Sequence, residues 1–117
     1  MSGFPIVRMR RLRRTESLRR LVREARLHPA QLVWPLFVTL ESEPEPIQAM
    51  PGVSRHPVGA TGDLAKQAVE LGLGGVLLFG IPDSKDEWGS GAYDDEGVVQ
   101  RAVGEMKNAA PDLVVVT

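Results

Sequence analysis

The chain has 117 residues, 43% apolar and 25% charged, with no cysteine and a formal net charge of −1. That is ordinary globular usage, and it excludes collagen-like, low-complexity and wholly disordered chains. The longest apolar runs are only a few residues, too short to span a membrane, and no disulfide framework or thiolate metal site exists in this stretch.

The small net charge conceals a division. Residues 1–28 hold nine arginines (Arg8, Arg10, Arg11, Arg13, Arg14, Arg19, Arg20, Arg23 and Arg26) against Glu16 and Glu24, a net +7. The other 89 residues hold five basic and thirteen acidic groups, a net −8. A basic arm on an acidic body suits nucleic acid, an anionic surface, or the acidic body of a second copy. The second copy is favoured because the two charges nearly mirror each other. A nucleic-acid arm more often adjoins a basic or aromatic-rich body. An arginine-rich start also resembles a mitochondrial presequence, but two glutamates and direct continuity with the next motif argue against it. No apolar segment of the secretory kind is present at the start, and the absence of cysteine points to a reducing, cytoplasmic setting.

Thr15 is a candidate helix cap. Leu18, Leu21, Val22 and Ala25 then recur at helical spacing, which predicts an amphipathic helix over 16–27, ended by His28-Pro29. Residues 34–39, Trp-Pro-Leu-Phe-Val-Thr, read as a strand, continuously apolar and so expected to be covered on both faces. Residues 41–60 contain four prolines and two glycines and read as a long loop. A second helix begins at Asp63, carries Leu64, Ala68 and Leu71, and stops at Gly72 and Gly74. Residues 75–81 form a second apolar strand, and a polar loop runs from Pro82 to Glu96. A third helix carries Val98, Val99, Ala102, Val103 and Met106, and residues 113–117 form a third strand. The fold class is α/β. A βαβαβ order of apolar strands and amphipathic helices implies a parallel sheet with right-handed crossovers, one that a partner or further chain would complete.

Little catalytic chemistry is visible. His28 and His56 are isolated and read as capping or surface residues. Asp83, Asp86, Glu87, Asp94, Asp95 and Glu96 do not follow the spacing of a calcium loop, and read as a solvated loop near a helix start. Gly72, Gly74 and Gly75 precede a strand rather than follow one, which fails the dinucleotide pattern. Lys66, Lys85 and Lys107 lack the burial or cationic neighbours that activate an amine. No catalytic, cofactor-binding or metal residue is assigned.

The ordered strings carry more information. Arg10-Arg11-Leu12-Arg13-Arg14, Leu18 to Glu24, Trp34-Pro35-Leu36-Phe37-Val38, Met50-Pro51-Gly52-Val53-Ser54-Arg55 and Leu78-Phe79-Gly80-Ile81-Pro82 occur in sequence. Lys85-Asp86-Glu87, Gly89-Ser90, Ala92-Tyr93, Val99 to Ala102 and Pro111 to Val115 follow. Together they resemble the opening of the delta-aminolevulinic acid dehydratase, or porphobilinogen synthase, family. The resemblance implies the first part of a (β/α)₈ barrel over 29–117, preceded by a basic helical arm over 1–28 that embraces a neighbouring subunit, commonly in an octamer. It also implies a lyase of tetrapyrrole (heme) biosynthesis that condenses two 5-aminolevulinate molecules to porphobilinogen. Two Schiff-base lysines and zinc or magnesium serve that chemistry, and the family places all of them beyond Thr117. The chain therefore reads as an inactive N-terminal portion of such an enzyme. The alternatives are a non-catalytic module that docks on a full barrel, and a basic-arm nucleic-acid binder.

Overall fold

The computed structural model describes Gly3, Ile6, Val7 and residues 9–117; Arg8 of the basic arm lies outside them. Eight regular elements follow in order: α1 (Glu16–Leu21), β1 (Val33–Thr39), β2 (Glu45–Pro46), β3 (Ser54–Pro57), α2 (Thr61–Glu70), β4 (Gly75–Ile81), α3 (Val98–Ala109) and β5 (Val115–Val116). Short 3-10 turns join them at 11–13, 29–31, 58–60 and 90–92.

The strands make one sheet in the order β2-β3-β1-β4-β5. β1 pairs in parallel with β4 along its whole length, from Val33 against Gly75 to Thr39 against Ile81. β5 continues the parallel set beside β4. The expected βαβαβ unit is therefore present as β1-α2-β4-α3-β5. Its core lies between the sheet and one layer of helices. Leu36 and Val38 of β1 and Val76 and Leu78 of β4 are buried against Ala65 and Ala68 of α2 and Ala102 and Met106 of α3. Small alanines at the contact let the helices approach closely. Gly80 serves the same end, since a Cβ there would collide with Val98 and Val99 where α3 begins.

Four expectations are corrected. The segment 41–60 is not a plain loop: it contains β2 and β3, and β3 lies parallel to β1 with Phe37 opposite Arg55 and Val38 opposite His56. Ser-Arg-His-Pro carries no apolar run, so only the neighbouring strand identifies it. The arm helix is shorter than 16–27. Thr15 does cap it, its hydroxyl accepting from the Leu18 amide at 3.2 Å, but it ends at Leu21. Among the described residues nothing fully buries its apolar stripe, and so short a helix has little stability of its own. The first strand is covered on one face and largely open on the other, where only Thr39 at its end is buried. Pro35 is exposed and Phe37 half-buried on the face away from the helices. The third strand shrinks from 113–117 to two residues, because it has a single neighbour in the sheet and pairs only with Val76 and Leu77.

Candidate functional site at the strand ends

Register fixes what the uncovered face presents. In a parallel sheet, residues paired across strands project to the same side. One row is Arg55, Phe37 and Phe79; the row beside it is Pro35, Leu77 and Val116. The rings of Phe37 and Phe79 stack with centroids 5.3 Å apart, the offset contact that aromatic quadrupoles favour. Phe79 is still 45% exposed and Val116 44%. A wall of this kind is what a strand shows to an interior that it only partly encloses.

Arg55 stands at the edge of that wall. Its Nη1 donates to Glu45 Oε2 at 2.9 Å, a contact set by the antiparallel pairing of β2 with β3. Its Nε is buried with no hydrogen-bond partner among the described residues.

The parallel strands end together. From the ends of β1 and β4 leave the segments that carry Glu41, Glu43, Asp83, Asp86 and Glu87. A cavity of about 490 Å³ opens there, lined among others by Gly80, Pro82, Lys85, Asp86, Val99 and Thr117. In barrels of parallel strands this is the end where sites are built. The loop over it is held locally. Asp86 accepts from the Ser90 amide at 2.9 Å and from the Ser90 hydroxyl. Those bonds, the hydroxyl first, hold the Asp86 carboxyl below its ordinary range. Gln100 of α3 donates to the Ala92 carbonyl at 2.7 Å.

The residues weighed from sequence are spread rather than gathered. His28 caps the turn at 29–31, its Nδ1 accepting from the Ala30 amide. His56 sits in β3. Asp94, Asp95 and Glu96 precede the Gly97 cap of α3, and the helix's first turn has no acid. Lys66 pairs with Asp63 at 3.4 Å on the outer surface of α2. Lys107 donates to the carbonyls of Pro111 and Leu113, tying off the end of α3. Among the described residues no three His, Asp or Glu side chains gather as metal ligands, so the zinc or magnesium that the resemblance implies does not fit these residues. Sequence reasoning passed over the row of Arg55, Phe37 and Phe79. The residues were in view, but register alone makes them neighbours.

The family model of delta-aminolevulinic acid dehydratase matches residues 6–117. The chain belongs to the delta-aminolevulinic acid dehydratase family. It is 47% identical to the dehydratase of Archaeoglobus fulgidus over 118 residues, covering all of this chain and 36% of that protein. Against the dehydratase of Methanothermobacter thermautotrophicus it is 44% identical, over 97% of this chain and 36% of the other. It superposes with a TM-score of 0.86 and 33% identity on the dehydratase (porphobilinogen synthase) of Toxoplasma gondii, solved with its reaction product porphobilinogen. That match covers 97% of this chain and 33% of the other. The chain thus spans about a third of the length of the family members it matches, and its sheet is the opening part of their barrel. The uncovered wall is explained by that placement: in a closed barrel it faces inward, which is why β1 and β4 are apolar on both faces. Among the described residues no helix is long and apolar enough to cross a membrane.

Proposed function

We propose that this chain supplies the basic arm, residues 1–28, and the opening barrel segment, residues 29–117, of a porphobilinogen synthase. The whole protein condenses two molecules of 5-aminolevulinate to porphobilinogen, in the cytoplasm, for tetrapyrrole synthesis. The observation that carries this reading is the family match over residues 6–117. The contribution of these residues is structural. Phe37, Phe79 and their neighbours form part of the inner wall, and the strand ends after Thr39 and Ile81 frame one side of the mouth. The activated amines and the metal of the reaction belong to the rest of the barrel: Lys66 and Lys107 are engaged on the outer surface, and Lys85 stands exposed on the acidic loop, without the burial or cationic neighbour that activates an amine. The test is porphobilinogen formation from 5-aminolevulinate by the full-length protein and by this chain alone. Turnover by the first and none by the second is expected. No turnover by the full-length protein, or turnover by the chain alone, would overturn the reading.

The arm is the element through which copies assemble, as a homo-oligomer of the family's octameric kind. What supports this is its isolation. α1 buries no residue, Leu21 is 75% exposed, and the described chain reaches 66 Å in its longest dimension. Deleting residues 1–14 from the full-length protein, or changing Leu18 and Leu21 to Ala, should lower its mass in light scattering on dilution. Unchanged mass for both variants would remove the arm from the interface.

A further inference from the structure

We propose that the docking surface for the arm is the acidic loop after β4, residues 82–96, of a second copy of this chain. The inference rests on the assembly role just given to the arm, and it names where the arm lands.

Charge and aromatic content single the loop out. Residues 82–96 hold six carboxylates, Asp83, Asp86, Glu87, Asp94, Asp95 and Glu96, against Lys85 alone, a net −5. They also hold one of the chain's two tryptophans and its single tyrosine. Trp88 is 83% exposed and Tyr93 71% exposed. Large aromatic side chains so placed gain nothing from their own fold. Beside carboxylates they make a surface suited to guanidinium groups, which stack on rings and pair with carboxylates in a planar fork.

The arm has the complementary features, equally unused. Arg10 to Arg26 include eight arginines and two glutamates. Arg19 and Arg26 bond only to backbone carbonyls of the arm itself, those of Arg13 and Arg20. Among the described residues the salt bridges are Arg55 with Glu45 and Lys66 with Asp63, so none of the arginines from Arg10 to Arg26 pairs with a described carboxylate. The apolar side chains of Leu21 and Val22 stand exposed beside these arginines. An amphipathic, arginine-flanked helix and an acidic, aromatic-tipped loop are complementary in sign, stacking chemistry and apolar content. The loop is also pre-shaped, by the Asp86–Ser90 and Gln100–Ala92 hydrogen bonds, so docking carries a reduced ordering cost.

The test is a charge exchange in the full-length protein, read by light scattering and sedimentation across a dilution series. Glu87 and Asp95 are exposed, so Glu87→Lys with Asp95→Lys leaves the fold intact and should raise the dissociation midpoint by about tenfold or more. The milder Glu87→Gln with Asp95→Asn should act in the same direction. Adding Arg20→Glu and Arg23→Glu to the lysine variant should recover assembly. The wild-type midpoint should rise with salt, as screened charges predict. If Leu18→Ala with Leu21→Ala disperses the assembly while the loop variants do not, the arm holds subunits together elsewhere and this inference falls alone. If the loop variants weaken assembly and the arm reversal brings no recovery, the loop meets another surface and the inference falls. If neither set has any effect, the assembly role of the arm falls with it.

Discussion

The arm helix and the two body helices carry the same kind of signal in sequence and meet opposite fates. α1, α2 and α3 each repeat apolar residues at helical spacing. α2 buries Thr61, Ala65 and Ala68, and α3 buries Val98, Ala102 and Met106, whereas α1 buries nothing. α2 and α3 extend for 10 and 12 residues, while α1 stops after 6 although its apolar spacing continues to Ala25. Periodicity states which face of a helix is apolar. It does not state whether the same chain covers that face, and an uncovered stripe sustains only as much helix as its cap and local bonds can hold.

The largest effect should come from emptying the covered face. Met106 is fully buried between α3 and the sheet. Met106→Ala should cost about 2–5 kcal/mol, from lost burial and the cavity left behind. Urea unfolding of the full-length protein measures this, and Leu21→Ala in the arm is the control. Equal shifts in the two variants would break the comparison. Next in size is Gly80→Val, which forces β4 and the start of α3 apart because Val98 and Val99 occupy the space a Cβ needs. The expected loss is about 1–3 kcal/mol, the usual scale for overpacking. An unchanged unfolding midpoint would mean that α3 moves outward without penalty.

Legibility in sequence follows the same division. β4 is legible over its whole span, Gly75–Ile81, and the apolar stripe from Val98 to Met106 falls inside α3, because glycines flank segments whose burial comes from nearby chain. β3 was not legible, since Ser54, Arg55, His56 and Pro57 are a strand only by virtue of lying beside β1. The row of Arg55, Phe37 and Phe79 was hidden for the same reason. It depends on register between segments that lie 18 and 42 positions from Phe37 along the chain. The one-sided cover of β1 was also illegible. An apolar run on both faces tells of burial in the finished barrel, most of which lies outside this chain.

A smaller effect sharpens the contrast from the arm's side. Thr15 is the device that starts α1, through its bond to the Leu18 amide. Thr15→Ala should destabilise that turn by about 1 kcal/mol. Because α1 makes no buried contact, hydrogen exchange at the Leu18 and Arg19 amides should quicken while global unfolding stays where it was. A matching fall in global stability would show that the arm helix is coupled to the core.

The smallest effect concerns the acidic loop, where order again rests on local bonds rather than burial. The Asp86 carboxylate takes hydrogen bonds from the Ser90 hydroxyl first and then from the Ser90 amide, and these lower its pKa. Burial opposes them without prevailing. A carboxyl whose pKa is depressed in the folded state stabilises that state above its unfolded value, about 3.9, and loses the contribution as pH falls through the folded one. The loop should therefore keep its Asp86–Ser90 turn through neutral and mildly acidic pH, and release it only below about pH 4. The Ser90 amide resonance followed against pH should titrate with a midpoint under that of a free aspartate, and Asp86→Asn should abolish the transition. Trp88 and Tyr93 ride on this turn at 83% and 71% exposure, so its release should increase their mobility while the core around Met106 stays folded. A Ser90 midpoint at or above the free-aspartate value would show that the hydroxyl and amide do not favour the charged carboxylate. The loop's order would then have to come from contacts outside it, as the order of α2 and α3 does.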